Sequence, residues 1–161
     1  MSRQRIVVLL LSGCIGVTSW GNAWALLQSC TVSAVPVSFG LYNPLSGAPV
    51  VATGTVTVSC TVTLLGLLDS WTIALGTGNS GSFSARHMVN GASTLSYNLY
   101  TSAAYTNVWG DGSASTALVN GSAFLAIGTT NTDYSVYGRI PAGQDSAAGT
   151  FTDTILITLN Y

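Results

Sequence analysis

Hydrophobic and polar positions alternate with a period of two through much of this chain. The pattern is cleanest from Gly149 to Tyr161, reading GTFTDTILITLNY. One face carries Phe151, Asp153, Ile155, Ile157, Leu159 and Tyr161, and the other Thr150, Thr152, Thr154, Leu156, Thr158 and Asn160. Only Asp153 and Leu156 depart from the alternation, which predicts a strand with one buried face. β-Branched and aromatic residues fill it, with no internal Gly or Pro. A strand this amphipathic needs neighbours on both edges, or one edge stays open.

The same period marks the rest. Cys30 to Phe39 is extended, with Pro36 signalling an edge or an interruption. Gly40 to Pro49 is turn chemistry. From Gly54 to Val62, Val56, Val58, Cys60 and Val62 oppose a row of Thr and Ser. Trp71, Ile73 and Leu75 share a face, as do Leu95, Tyr97 and Leu99. Tyr105 to Trp109 is a short strand. Ala117 to Ile127 reads as a strand pair broken by Asn120-Gly121, a hairpin-turn signal. Asp133 to Ile140 is another strand, closed by Pro141-Ala142-Gly143. No stretch has capped helical periodicity. About eight strands with turns at short intervals predict an all-β sandwich in one domain.

Composition adds the compartment. Met1 to Ala25 has the layout of a secretory signal: Arg3 and Arg5, an apolar run from Ile6 to Leu11, and Ala23-Trp24-Ala25 as a small-x-small cleavage site. This divides the chain into a leader, 1–25, and a mature domain, 26–161. A second reading stays open, because Leu11-Ser12-Gly13-Cys14 resembles a lipobox, with cleavage before an acylated Cys14. In the first reading Cys30 and Cys60 remain, an even count that in an exported chain implies one disulfide. Closing a loop of that length stabilises by roughly 3–4 kcal/mol in the chain-entropy model. Cys60 shares its face with the valines, so the staple is expected to be buried.

Charge is scarce. The mature segment has no Lys and no Glu; Arg86 and Arg139 stand against Asp69, Asp111, Asp133, Asp145 and Asp153, two cations against five anions, net −3. That lacks the basic footprint of a nucleic-acid binder.

Candidate chemistry is thin. Gly76-Thr77-Gly78-Asn79-Ser80-Gly81 fits G-x-G-x-x-G, but no helical stripe follows to hold a pyrophosphate, so it reads as a flexible hairpin loop. His87 is the single histidine and has no nucleophile motif beside it. One His with two bridged cysteines does not make a zinc site. No cofactor is expected and no catalytic constellation is apparent, so the residues do not read as an enzyme. Asp153, on the apolar face of the last strand, requires a partner if buried; Arg139 or Arg86 would supply a structural ion pair. Leu45, Val50, Val51 and the stretch from Tyr100 to Trp109 could present an apolar contact surface.

A series of motifs then resembles the spore coat protein U domain family. Cys30-Thr31-Val32, Phe39-Gly40-Leu41-Tyr42-Asn43-Pro44 and Gly54-Thr55-Val56 running to Cys60 match its opening. Leu75-Gly76, Arg86-His87-Met88, Leu95 to Tyr100 and Trp109-Gly110-Asp111-Gly112 match its middle. Tyr134 to Gln144, then Gly149, Phe151 and Asp153, match its end. The family includes subunits of archaic, Csu-type chaperone–usher pili and secreted coat proteins. The resemblance implies an immunoglobulin-like β-sandwich, which in the pilus subunits lacks its final strand. It implies a periplasmic pilus chaperone, an outer-membrane usher and neighbouring pilus subunits as partners, with export through the periplasm to the cell surface. A strand lent by a partner closes such a sandwich by β-augmentation. Phe151, Ile155, Ile157, Leu159 and Tyr161 then become candidates for the wall of the acceptor groove. After cleavage at Ala25 only four residues precede Cys30, a reach of about 14 Å, too short to serve as a donor strand. The expectation is a subunit that accepts a strand without donating one, at a fibre tip or in a minor position. A non-polymerising coat protein, or a small extracellular binding domain or enzyme, is the alternative.

Overall fold

The computed structural model describes residues 28–63, 67–125 and 127–161. The expected leader, Cys14 and Leu26-Leu27 lie outside the described residues. Among the described residues nine strands are present: β1 Gln28–Val35, β2 Val50–Val62, β3 Leu67–Leu75, β4 His87–Asn90, β5 Ser93–Ser96, β6 Asn98–Tyr100, β7 Val119–Leu125, β8 Gly128–Ile140 and β9 Ile157–Asn160. Among the described residues the only helical turn is a 3-10 turn at Gly78–Ser80.

One sheet has the order β1-β2-β8-β6 and the other β7-β3-β9, with β4 and β5 as a separate hairpin. All these pairings are antiparallel. Long alternating strands dictate the core. β2 sends Val56, Val58, Cys60 and Val62 inward and β8 sends Val136 and Ile140. Trp71, Ile73 and Leu75 of β3 meet them, with Leu95, Leu99 and Trp109 completing the layer. Cys30 and Cys60 are direct register partners on β1 and β2, with Cα atoms 4.1 Å apart, and form the disulfide.

Three expectations about local structure change. Tyr105 to Trp109, expected as a short strand, forms only isolated bridges through Val108 and Trp109, because Tyr105 takes a left-handed turn conformation. Val119 to Leu125 is one continuous strand rather than a pair around an Asn-Gly turn. Gly121 sits opposite Trp71 in the ladder, and a Cβ there would collide with the Trp71 indole and the Tyr134 hydroxyl. The glycine is required by close packing. The glycine-rich segment at 76–81 is also more than a flexible hairpin loop. Gly78, at φ 68°, begins the 3-10 turn, and the Asp153 carboxylate lies against it.

Pro36 ends β1, as its missing N–H requires. The chain beyond it dips over the inner face of the first sheet. Gly54 and Gly138 make room there: a Cβ on Gly54 would meet Val35 and Val37, and one on Gly138 would meet Val37 and Phe39. This crossing places Val37 and Phe39 beside the core instead of in the ladder.

Candidate functional site: an apolar groove beside the last strand

The final segment keeps its alternation but not a single ladder. Thr152 exchanges two backbone hydrogen bonds with Val89 of β4, at 2.8 and 3.1 Å. The Gly76 N–H donates to the Leu156 carbonyl at 2.8 Å. Only Ile157 to Asn160 forms a strand, paired with β3 through Thr72 to Leu75. The segment thus sews the β4–β5 hairpin to the second sheet along one of its edges. On the other edge β9 has no strand partner among the described residues.

β1 is likewise the outer strand of its sheet. Between the two open edges lies a groove of about 450 Å³. Val35, Val37 and Phe39 form one wall, Phe151, Ile155 and Ile157 the other. Val56, Leu75, Leu99 and Val136 lie at its base. The residues of the last segment that face inward are only half-buried, although Val56 and Val58 on β2 are 1% exposed. An amphipathic face in this position would be fully covered in a closed sandwich. The groove is therefore a gap in the core, apolar and bounded by strands whose outer edges have no strand partner among the described residues.

The sequence-predicted wall residues are not all in one place. Phe151, Ile155 and Ile157 line the groove, whereas Leu159 packs against the core beyond its end. Tyr161 is 58% exposed and borders a separate shallow cleft with Trp71, Asn120 and Asn160.

One polar connection crosses the groove. Phe39 meets the Tyr97 ring edge-on, with centroids 5.8 Å apart. The Tyr97 hydroxyl donates to Asp153 Oδ2 at 2.8 Å. Asp153 Oδ1 accepts the backbone N–H groups of Asn79 and Thr154, each at 2.8 Å. Burial pushes the Tyr97 hydroxyl pKa above its ordinary value, and the hydrogen bond to Asp153 adds to the rise. The expected ion pair of Asp153 with Arg86 or Arg139 is thereby corrected. The carboxylate is satisfied by N–H and O–H donors from three segments and holds neither arginine. Arg139 instead lies over the Tyr105 ring, 5.6 Å from its centroid.

Arg86 is completely buried and spends its guanidinium on oxygen acceptors. Its Nη2 donates to the carbonyls of Gly76, at 2.6 Å, and Trp109, at 2.9 Å, and Nη1 donates to Asn98 Oδ1 at 2.9 Å. Burial lowers its pKa, opposed through space by Tyr97 and Asp153. Sequence reasoning missed this clamp. It ties the loops beneath the groove together, and its partners are mostly backbone carbonyls, which leave no side-chain signature.

A β-sandwich with a disulfide between neighbouring strands and an apolar gap beside its last strand defines the structural class. The comparisons supply the family: a family model, the Spore Coat Protein U domain, matches residues 18–158, and the chain belongs to that family. It is similar to "Protein U" of Myxococcus xanthus, 35% identical over 138 residues, covering 78% of this chain and 71% of that protein. A crystal structure of the CsuC–CsuE chaperone–tip adhesion subunit pre-assembly complex, from archaic chaperone–usher Csu pili of Acinetobacter baumannii, aligns with TM-score 0.53 at 22% identity. That alignment covers 84% of this chain but 40% of the other. The likeness is one of fold, and the fold is the immunoglobulin-like sandwich.

Proposed function

We propose that this chain is an exported, non-enzymatic surface subunit of the chaperone–usher type, whose sandwich is completed by a strand from another chain. The observation that carries this reading is the groove between β1 and β9. A strand laid there would pair with the free edge of β9 and cover Phe151, Ile155 and Ile157. Main-chain hydrogen bonds would supply affinity, and alternate side chains would fill the apolar gap. The partners under this reading are a periplasmic pilus chaperone in transit, the outer-membrane usher, and a neighbouring subunit in the fibre.

A tip or minor position is the narrower form of the proposal. If the mature chain starts at Leu26, the segment before Cys30 is too short to complete a neighbour. N-terminal sequencing and mass measurement of the exported protein decide that point, and distinguish cleavage after Ala25 from acylation at Cys14.

Co-expression with a pilus chaperone tests the main claim. A stable one-to-one complex is expected, and truncation after Ile155 abolishes capture. If the chain instead accumulates alone as a stable monomer, ignores the chaperone and buries the groove with its own residues, it is a self-complete coat protein. The spore-coat designation of the family favours that second reading.

A further inference from the structure

The outer face of the first sheet carries a separate feature, formed by residues that do not line the groove. Tyr137 and Arg139 of β8 stand in register with Tyr100 and Asn98 of β6, and with Thr53 and Val51 of β2. The intervening residues Leu99, Val136 and Ile140 are in the core, so the period of two turns Tyr100, Tyr137 and Arg139 to the opposite face. The chain after β6 folds back over this face. The Thr101 N–H donates to the Asn107 carbonyl and the Tyr105 N–H to the Ser102 carbonyl, both at 3.1 Å. Tyr105 is thereby set edge-to-face with Tyr100, centroids 5.5 Å apart, while its ring lies against the Arg139 guanidinium.

Three observations point to a ligand. Tyr105 has φ 53°, a left-handed conformation unfavourable for a bulky side chain, and it places the ring at this spot. Arg139 is the one arginine outside the core among the described residues, in a chain without lysine. Among the described residues, neither its guanidinium nor the hydroxyls of Tyr100, Tyr105 and Tyr137 has a protein hydrogen-bond partner. A guanidinium stacked on a ring keeps its edge N–H groups available, in a fork that matches a carboxylate.

We propose that this shelf binds an acidic saccharide, a polymer of uronic-acid units. The carboxylate would pair with Arg139, the sugar hydroxyls would exchange hydrogen bonds with the tyrosine hydroxyls, and an apolar face of the pyranose would lie on the exposed part of the half-buried tyrosine rings. A protein partner fits less well. Thr53 and Ser135 border the shelf, neither cavity described above reaches it, and Val51 is its one well-exposed aliphatic side chain. The buried apolar centre that anchors a protein interface is missing from that combination.

The test is calorimetric titration of the full chain, carried in its chaperone complex if it requires one, with an oligouronate and with a neutral dextran oligomer of equal length. The oligouronate should bind in a salt-sensitive manner, with the dextran about tenfold weaker or worse. Arg139→Gln should weaken oligouronate binding by about tenfold or more, as loss of a charge-assisted pair does. Tyr105→Gly, which suits the left-handed backbone, should also weaken it without changing the melting temperature appreciably. Tyr137→Phe supplies a further variant should Arg139→Gln not fold. Absence of oligouronate binding by the wild type, or equal binding by the variants, overturns the proposal. Self-association lost in Arg139→Gln would overturn it too, by giving the shelf to a second copy of the chain.

Discussion

The Tyr97 hydroxyl donates to the Asp153 carboxylate at 2.8 Å, joining the base of the groove to its wall 56 residues away. The bond is made at the boundary of an apolar gap, where an unpaired partner would be poorly solvated. Tyr97→Phe should therefore destabilise the fold by about 1–2 kcal/mol in chemical denaturation. The pH dependence has a defined sign. Tyr97 holds its proton more tightly folded than unfolded. Its contribution is complete below the unfolded value of about 10 and falls as pH rises beyond that. Denaturation midpoints between pH 8 and 11 should decline in the wild type and decline less steeply in Tyr97→Phe.

Arg86 predicts a larger effect. Its removal takes the guanidinium donor from the carbonyls of Gly76 and Trp109 in the core and leaves the Asn98 amide oxygen with the Leu99 N–H alone. Arg86→Ala should cost about 3 kcal/mol or more, a large part of a typical domain's margin. Arg86→Lys restores charge but not the planar fork and should recover little of it. Yield of soluble protein and urea midpoints measure both.

Gly121 gives a contrasting test of packing. Valine has the higher strand propensity, so an open strand would tolerate it. Opposite Trp71, which donates to the Tyr134 hydroxyl at 2.9 Å, there is no space for a side chain. Gly121→Val should destabilise by about 1–3 kcal/mol, as overpacking does.

These residues also show where the sequence was legible. Val56, Val58, Cys60 and Val62 could be placed because a period of two maps directly onto one face of a strand, and the disulfide came with them. The last segment was harder. Its alternation persists from Phe151 to Asn160, but the ladder changes partner twice, from Val89 to Gly76 to β3. Periodicity reports which face is inward and is blind to which neighbour is paired. Asn120-Gly121 misled because a glycine needed for close approach resembles one needed for a turn. Asp153 was rightly marked as requiring a partner, but the donors are a tyrosine from β5–β6 and two N–H groups. Pairing by opposite charge could not find them.

The disulfide supports the edge strand β1, which among the described residues pairs only with β2. Reduction, or Cys30→Ala with Cys60→Ala, should lower stability by roughly 3–4 kcal/mol. Residues 28–35 should then gain protease sensitivity before β2 and β8 do, because that edge has one neighbour to hold it.

Hydrogen–deuterium exchange over Phe151 to Asn160 tests the strand-acceptor account most directly, comparing the full chain alone with the chain bound to a pilus chaperone. The account predicts rapid exchange at amides on the open edge of β9 in the free chain, strong protection in the complex, and protection of Val56 to Val62 in both. Full protection of Phe151 to Asn160 in the free chain, unchanged by the chaperone, would contradict it.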